Sequence, residues 1–226
     1  MFEEVVKMRR CGRARRQRVY SFPRKSAREQ RMRLMTLRRK MREECIAAAL
    51  EEPVIICDNP SGTIVFDTET TGLKPDEDEI LQISIIDGEG RTLLNSYVSP
   101  YRKNSWPKAQ RVNGIGRETV LDAPYPHELI PVVRGIFGSA KTLIAYNNPF
   151  DLSFLAKWGV SPEGKEQVDV MLEFAEMYGE PDEKHGGFKW KKLVFAADYY
   201  GYSYRAHDSL EDVRATLYVY NKMRGR

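Results

Sequence analysis

The chain has 226 residues, of which 42% are hydrophobic, which suits one large domain with an appendage. No apolar run approaches the roughly 20 residues of a membrane-spanning helix, so we expect no membrane partner. The cysteines are odd in number and widely spaced, which indicates neither a disulfide framework nor a zinc knuckle and favours a reducing compartment, the cytoplasm. Residues 1–50 carry a net charge of +11 (16 Lys and Arg against 5 Asp and Glu), and the remainder carries −7 (20 against 27).

The first 50 residues are therefore a basic arm on an acidic domain. Between Ser26 and Glu51 the arm lacks Gly and Pro, and its apolar residues recur at roughly helical spacings, which predicts a basic amphipathic helix. Such an arm would hold phosphates electrostatically, or dock on an acidic partner. The alternative is a solvated helix packed loosely on the domain, or a disordered tail.

Composition also predicts the domain boundaries. We expect an arm over 1–52, helical or partly disordered, and a linker over 53–61 that contains Asn59-Pro60-Ser61. The remaining residues, 62–226, form the folded domain.

The first strand of that domain ends in two acids. Thr63–Phe66 is β-branched and apolar, as expected for a strand covered on both faces. Side chains alternate along a strand, so Asp67 and Glu69 point the same way and Thr68 points the other way. Two like charges this close raise each other's pKa unless a cation lies between them. The alternative is a turn with both acids solvated at the strand end.

The following segments alternate between strand and helix patterns. Residues 80–87 and 92–98 read as a hairpin around Gly88-Glu89-Gly90. A meander followed by alternating strands and helices predicts a mixed sheet flanked by helices. The later predicted elements are a helix at 127–137, a strand at 141–146, a helix at 151–158, a strand at 167–170, and helices at 190–200 and 208–223.

Two further segments contain candidate functional groups. Asp151 follows the fourth strand, where it would be a ligand or simply the N-cap of the next helix. His207 and Asp212 are five residues apart, a little over one helical turn. If His207 lies just before the last helix, its ring and the carboxylate can address one point. The alternative is a structural or solvated histidine.

These segments together resemble the DEDDh, or DnaQ-like, 3′–5′ exonucleases, a family that includes proofreading subunits and RNase T-type enzymes. The resemblance covers roughly residues 62–223 and rests on three acidic motifs in order, with Val112–Gly116 resembling a short loop of the family. It implies an RNase H-like α/β fold, whose five-stranded mixed sheet has its second strand antiparallel. The three motifs are Phe66–Gly72, Asn147–Asp151 and His207–Asp212.

The resemblance also implies the catalytic residues. Asp67, Glu69, Asp151 and Asp212 match the four metal-binding acids, and His207 matches the catalytic histidine. Four carboxylates without matching cysteines form a hard oxygen site, which suits two Mg²⁺ or Mn²⁺ ions. Two such ions clamp the attacking water and the leaving 3′ oxygen of an in-line displacement. His207 would deprotonate the water, and the product would be a nucleoside 5′-monophosphate.

Substrate contacts are expected beside these acids. Thr70, Thr71 and Leu73 match the region where relatives grip the terminal nucleotide, with Leu73 as a wedge against the bases. Asn147 and Phe150, beside Asp151, are further candidates. Two positions depart from the family pattern: Tyr146 stands where many members have histidine, and Asn148 where a small residue is common.

The motifs leave the substrate open. The first hypothesis is an exonuclease acting on single-stranded or frayed 3′ ends of DNA, as in proofreading or repair. The second is an exoribonuclease that trims RNA 3′ ends, because selection for a 2′-hydroxyl depends on a few pocket contacts. The third is a nucleic-acid-binding or polymerase-tethering module with a vestigial site. A vestigial site should have lost an acid, and all four acids are present.

Three aromatic residues and one further acid have simpler interpretations. Trp190 and the pair Tyr199-Tyr200 are interpreted as packing residues rather than base-stacking platforms. Asp169, on the predicted fifth strand, is expected to support the metal-binding acids without being one of them.

Overall fold

A computed structural model describes residues 27–55 and 57–226. The predicted arm before residue 27, with most of its arginine clusters, lies outside the described residues, as does Ile56 of the predicted linker. Helix α1 spans Ala27–Glu51, so the predicted helix is confirmed from residue 27 onward. Two compact units divide the chain, Met1–Lys40 and Met41–Arg226. In the described part of the first unit the large apolar side chains are exposed: Met32, Leu34, Met35 and Leu37.

In the second unit, the end of α1 belongs to the apolar core. Ala49 is buried, and Ile46 and Leu50 pack against the same core cluster. The segment that follows also lies close to the domain, since a Cβ atom at Gly135 would come within 1.8 Å of the Ile55 carbonyl oxygen. Glycine is therefore required there for the close approach of the two backbones.

The domain is built on one five-stranded sheet. The strands are β1 (Thr63–Thr70), β2 (Ile80–Asp87), β3 (Thr92–Tyr97), β4 (Thr142–Ala145) and β5 (Glu166–Asp169). Their spatial order is β3-β2-β1-β4-β5. Strand β2 is antiparallel to β1 and β3, whereas β4 is parallel to β1 and β5 is parallel to β4. The predicted mixed α/β sheet with an antiparallel second strand is confirmed.

Apolar layers cover both faces of the sheet. On one face Ile64 and Phe66 of β1 join a cluster with α3, where the Phe66 and Phe137 rings lie 5.0 Å apart. On the other face Val65 packs in a cluster that includes Val213 of α7. Burial on both faces explains why β1 begins as a continuous apolar run. The helices of this unit are α2 (Pro107–Asn113), α3 (Pro126–Ser139), α4 (Asn148–Leu155), α5 (Val170–Tyr178), α6 (Leu193–Tyr199) and α7 (Ser209–Met223).

The helix pattern differs from the prediction in four places, one of which is that α4 begins at Asn148 rather than Asp151. Helix α2 lies in a segment for which no helix was predicted, and Pro107 occupies its first turn, where the missing N–H has no partner to lose. Helix α5 was not predicted, and it begins because the Asp169 carboxylate accepts the N–H groups of Met171 and Leu172. Helix α6 begins at Leu193 rather than Trp190.

The interpretation of Trp190 as a packing residue is wrong. Its side chain is 69% exposed, and it lies before α6, outside any helix or strand. Tyr199 is 54% exposed but contacts the buried Phe174 ring at a centroid distance of 5.6 Å. Tyr200 also packs against the core. The two tyrosines are therefore packing residues, as predicted.

Among the described residues no helix is both long and apolar enough to span a bilayer.

Candidate active site

The site lies beyond the point where strand pairing between β1 and β4 ends. Pairing between β1 and β4 stops at Val65, whereas pairing with β2 continues to Thr70. The free side of β1 beyond Val65 is filled by Asp151 instead of a strand. Its Oδ1 atom accepts hydrogen bonds from the backbone N–H of Thr68 (2.9 Å) and from the Thr68 hydroxyl (2.7 Å). The pairing defect thus brings an acid from α4 next to the two acids of β1.

Asp151 is not the N-cap of its helix, so that alternative is wrong. Helix α4 begins at Asn148 and its N-cap is Asn147, which adopts a left-handed conformation with φ 71°. Asp151 lies in the first turn and is 2% exposed. Asp169 stabilises the start of α4, because its carboxylate accepts the N–H groups of Asn147 (3.2 Å) and Asn148 (3.1 Å). Asp169 therefore ties the first turns of α4 and α5 together and positions Asp151.

His207 and Asp212 lie at the start of α7. The helix N-cap is Asp208, whose side chain accepts the Leu210 N–H, and Asp212 follows in the first turn with 8% exposure. His207 precedes the cap and is exposed, with φ 66°. Its backbone N–H donates to Asp212 Oδ2 at 3.1 Å. A positive φ is strained for a residue with a Cβ, and this hydrogen bond helps to hold it.

The two halves of the site meet at Glu69. Among the described residues, one group of three potential ligands has atoms that all lie within 4.8 Å of one another: Glu69, His207 and Asp212. Asp67 and Asp151 are not in that tight group, but both carboxylates contribute to the field around it. The arrangement brings histidine and carboxylate ligand atoms from β1 and α7 to one point.

The electrostatics of the cluster are unfavourable without a cation. Burial, followed by the charges of Asp151 and Asp212, raises the pKa of Asp67 well above its ordinary value. Burial and the Asp212 charge likewise raise the pKa of Glu69 to about 7. Burial raises the pKa of Asp151 to about 7, although the Thr68 hydrogen bonds oppose the rise. Burial raises the pKa of Asp212 as well.

One atom of the cluster points directly to a metal. Asp67 Oδ2 is buried and has no hydrogen-bond partner in the described part of the chain. A buried carboxylate oxygen without a hydrogen-bond donor is costly. Such oxygens are the ligands that hard divalent cations prefer. The donor set therefore fits Mg²⁺ or Mn²⁺.

The expected substrate contacts fall into two groups. Thr70 donates its hydroxyl to the Gly72 carbonyl (2.6 Å) and Thr71 donates to Asp78 (3.0 Å), so both hydroxyls shape the turn after β1. The turn requires glycine, because a Cβ at Gly72 would lie 2.5 Å from the Asp78 carboxylate. Leu73, at the tip of this turn, is 81% exposed.

The remaining two candidates lie beside Asp151. Asn147 is exposed and its N–H is bound to Asp169. Phe150 is half-buried, packs against the core, and has its ring 5.2 Å from Phe154. Of the five expected contacts, Leu73 and Asn147 therefore have the most accessible side chains.

Two residues near the acids were missed as functional candidates. The Asn113 side chain donates to the Thr70 carbonyl (3.3 Å) and also lowers the pKa of Glu69 by hydrogen bonding. The Val112–Gly116 motif was the available signal for it. The Tyr204 hydroxyl is buried near Asp212, and burial raises the pKa of this phenol. Nothing in the sequence distinguishes Tyr204 from its neighbouring tyrosines.

A polar cavity of about 410 Å³ opens beside His207. It lies between the start of α7 and the loop after α2, and its lining includes Asn113, Gly114 and Arg205. Of the tight ligand group, His207 lines this cavity, so the cavity offers room for a substrate beside His207.

The mixed sheet with its second strand antiparallel, and acids gathered at the end of its first strand, define an RNase H-like nuclease. A model of the exonuclease family (RNase T type) matches residues 64–220. The chain therefore belongs to this family of DnaQ-like exonucleases, and it is a nuclease of the hydrolase class.

Individual relatives agree with this assignment. An uncharacterized exonuclease of Escherichia phage 186, CP81, is 35% identical over 166 residues, which cover 68% of this chain and 84% of that protein. The PolC-type DNA polymerase III of Staphylococcus saprophyticus is 28% identical over 176 residues, covering 74% of this chain but only 12% of the polymerase.

Solved structures agree on the fold. Escherichia coli exonuclease I in complex with a dA16 oligonucleotide superposes with a TM-score of 0.60 at 19% identity. The match covers 73% of this chain and 41% of exonuclease I. A zinc-bound form of an exonuclease I–single-stranded DNA complex matches with a TM-score of 0.58 at 20% identity, covering 72% of this chain and 40% of that one.

Proposed function

We propose that the protein is a divalent-metal-dependent 3′–5′ exonuclease that removes nucleoside 5′-monophosphates from the 3′ ends of DNA. The observation that carries the proposal is the convergence of Glu69, His207 and Asp212 within 4.8 Å, next to the unpartnered Oδ2 of Asp67. Acids that repel one another in a buried place need cations, and an adjacent exposed imidazole suits proton transfer at neutral pH.

The four acids would hold the metal ions. Asp67 and Glu69 from β1, Asp151 from α4 and Asp212 from α7 supply only carboxylate oxygens, which favours two Mg²⁺ or Mn²⁺ ions. When bound, such ions stabilise the charge on the attacking and leaving oxygens of an in-line displacement. Zinc is present in one exonuclease I structure of this fold, which supports a divalent ion here.

His207 would be the general base. Its backbone N–H is held by Asp212 while its side chain is exposed, so the ring is free to face an incoming water. A ring nitrogen would take the proton as the water oxygen attacks phosphorus, and the 3′ oxygen of the preceding nucleotide would leave. Asp212 thus acts twice, as a metal ligand and as the group that positions the base.

The choice of DNA rests on the relatives. The matched region of the PolC-type protein belongs to a DNA polymerase, and the exonuclease I structures contain DNA oligonucleotides. We therefore propose single-stranded or frayed DNA 3′ ends as substrate, in proofreading or repair in the cytoplasm, with RNA 3′ ends as the alternative. A replication partner would dock through the basic arm.

The arm also suggests a contribution to affinity. Residues 1–50 would raise nucleic-acid affinity by neutralising phosphates, and the described part offers Arg28, Arg31 and Arg33 on α1. Replacing these three arginines by glutamine should weaken strand binding and flatten its salt dependence. Equal affinities and equal salt slopes would end this idea.

The direct test uses labelled single strands of DNA and RNA with matched sequence. In Mg²⁺ or Mn²⁺ the wild-type protein should release a labelled mononucleotide from a 3′-labelled DNA strand at once. A 5′-labelled strand should instead give a ladder of shortened labelled products. Asp212→Asn should remove this activity, whereas Asp122→Asn, an exposed acid outside the site, should retain it. Equal release by both variants would indicate a contaminant, and no release by the wild type would contradict the proposal.

A further inference from the structure

A second recess lies on the other side of Tyr204 from the acid cluster. It is a cleft of about 590 Å³ between the segment before α6 and the segment before α7. Trp190 forms one wall, Phe195 lies on α6, and Tyr204 lies on the opposite segment. We name it the Trp190 cleft. It is separate from the polar cavity beside His207, with which it shares no lining residue.

The exposure of Trp190 is unusual within this chain. The other two tryptophans, Trp106 and Trp158, are 4% and 5% exposed, whereas Trp190 is 69% exposed. Phe195, in the same cleft, is 41% exposed. Large aromatic rings left open to water in one recess are a surface that a planar ligand can cover.

The Trp190 cleft borders the catalytic centre. Tyr204 lines the cleft, and its buried hydroxyl lies near Asp212. On the opposite wall, the Tyr146 hydroxyl donates to the Lys191 carbonyl at 2.7 Å. Tyr146 directly follows β4 and leads into the helix that carries Asp151, so both walls are fixed to acid-bearing segments.

One exposed lysine of the cleft, Lys192, suits a phosphate of a polyanion that passes along it. Lys191 is half-buried, pairs with Glu180 and lies over the Tyr178 ring at 4.9 Å, so it is part of the wall. Lys192 is exposed, and no ion pair engages it within the residues that the structure describes. One acid, Asp198, also lines the cleft. An aromatic platform beside a free cation is the combination that single strands use, with bases on the rings and phosphates on the cation.

We infer that the Trp190 cleft holds the single-stranded part of the substrate that precedes the released nucleotide, with a base stacked on Trp190 and a backbone phosphate near Lys192. The inference rests on the proposed exonuclease function and adds a binding subsite to it. Both DNA and RNA strands present bases and phosphates, so the shared chemistry is that of a single-stranded polynucleotide.

The test uses tryptophan fluorescence, because Trp190 is the exposed tryptophan and stacking on a base quenches it. The full-length protein is titrated in Ca²⁺ with 5′-labelled dT12 and, in a parallel arm, rU12, while anisotropy of the label reports binding. We expect binding with quenching. Trp190→Ala should weaken binding about tenfold, and Trp190→Phe, which keeps an aromatic face, should recover most of the affinity. Lys192→Gln should reduce the slope of log Kd against log salt by about 0.7.

A matched control guards against a general surface effect. Leu121 is 62% exposed and lies outside the cleft, so Leu121→Ala should bind as the wild type does. Binding without quenching, or equal affinities for wild type and Trp190→Ala, would overturn the inference. A change in oligomeric state with unchanged strand affinity would also overturn it, since the cleft would then be a protein interface. Absence of any strand binding by the wild type would also overturn the inference.

The outcomes are distinguishable from a failure of the proposed function. Nucleotide release in Mg²⁺ is measured separately on the same protein. Binding with quenching but no release would keep the cleft and remove the exonuclease proposal. The rate of release is compared between Trp190→Ala and the wild type on a dinucleotide and on a twelve-residue strand. If the ratio of the two rates is the same on both substrates, the exonuclease proposal stands and the cleft is not a binding subsite.

Discussion

The two halves of the acid cluster are built in different ways. Asp67 and Glu69 lie on β1, a strand covered on both faces and paired with β2 along its length. His207 lies in an exposed loop with a positive φ, just before α7. The strand half holds buried carboxylates that repel one another, whereas the helix half carries the exposed histidine that we propose as the proton acceptor. The difference implies that the free energy of unfolding and the proposed proton transfer can be changed by separate substitutions.

The largest effect is expected from Asp67→Asn. Loss of a metal-binding carboxylate should reduce nucleotide release by about 10⁴-fold or more. Because the Asp67 charge is unfavourable without a cation, the same variant should melt higher than wild type in EDTA at pH 8, by about 2–4 °C for each kcal/mol of relieved repulsion. Activity assays and thermal melts on one preparation check both statements, with Asp122→Asn as the control. A variant that melts lower in EDTA would contradict the electrostatic account of the strand half.

His207→Asn should have the next largest effect on activity and almost none on folding. Asparagine tolerates a positive φ and retains the backbone N–H that Asp212 accepts, but it cannot act as the base. We expect kcat to fall by about 10²–10⁴-fold, with KM and melting temperature close to wild type. Steady-state kinetics and melts measure this. A kcat within twofold of wild type would remove His207 from the mechanism.

Asp169→Ala should weaken the site without touching the substrate. It removes a carboxylate that accepts N–H groups from the first turns of both α4 and α5. We expect a loss of about 1–3 kcal/mol in the free energy of unfolding and a roughly 10–100-fold loss in activity through displaced Asp151. Denaturant melts and Mg²⁺ titrations of activity measure both losses.

The control for this variant is Asp182→Ala. Asp182 caps an exposed turn by accepting the N–H groups of Lys184 and His185. Its loss removes two backbone hydrogen bonds, rather than four, at a place away from the acids, so activity should be retained. If Asp169→Ala kept full activity at every Mg²⁺ concentration, Asp169 would be a structural cap alone.

The smallest effect concerns pH in the metal-free protein. The pKa values of Glu69 and Asp151 are raised to about 7 from ordinary values of 4.5 and 3.8. Between about pH 4 and 7 the folded state therefore binds more protons than the unfolded state, so stability falls as pH rises through this window and levels off above it. In EDTA the melting temperature should drop by at least about 4 °C from pH 5 to pH 8.

Bound metal should reverse the fall in stability with rising pH, because cations and protons compete for the same carboxylates. The stabilisation that Mg²⁺ provides should therefore grow from pH 5 to pH 8. Melts in EDTA and in Mg²⁺ across the range measure the difference. A melting temperature in EDTA that rises with pH over this window would mean that the acids do not repel one another in the folded state.

Several features followed from local sequence. The apolar run ending in Asp67 and Glu69 predicted β1 with both acids on one face, since side-chain alternation is a property of any strand. The hairpin of β2 and β3 followed from alternation around Gly88-Glu89-Gly90. Helix α7 and the position of His207 just before it also agree with the prediction, because the Asp208-Ser209 pair is a good helix start.

Other features could not be predicted from local sequence. The start of α5 depends on whether Asp169 caps it, and its neighbour Val170 alone favours a strand as much as a helix. Trp190 was expected to pack because large aromatic residues usually do, and its exposure depends on where α6 begins. The Asp151–Thr68 contact joins residues 83 positions apart, so no local pattern reports it.

The sequence by itself determined which residues are acids, on which elements they lie and in what order, because alternation, helical spacing and capping act over a few neighbouring residues. The tertiary structure alone decided that β4 stops short of the end of β1, so that Asp151 fills the gap and Glu69, His207 and Asp212 converge within 4.8 Å. It also decided that Asp67 Oδ2 is left without a donor and that Trp190 stays exposed. These facts depend on packing between distant segments, where burial sets both the charge states and the space for a ligand.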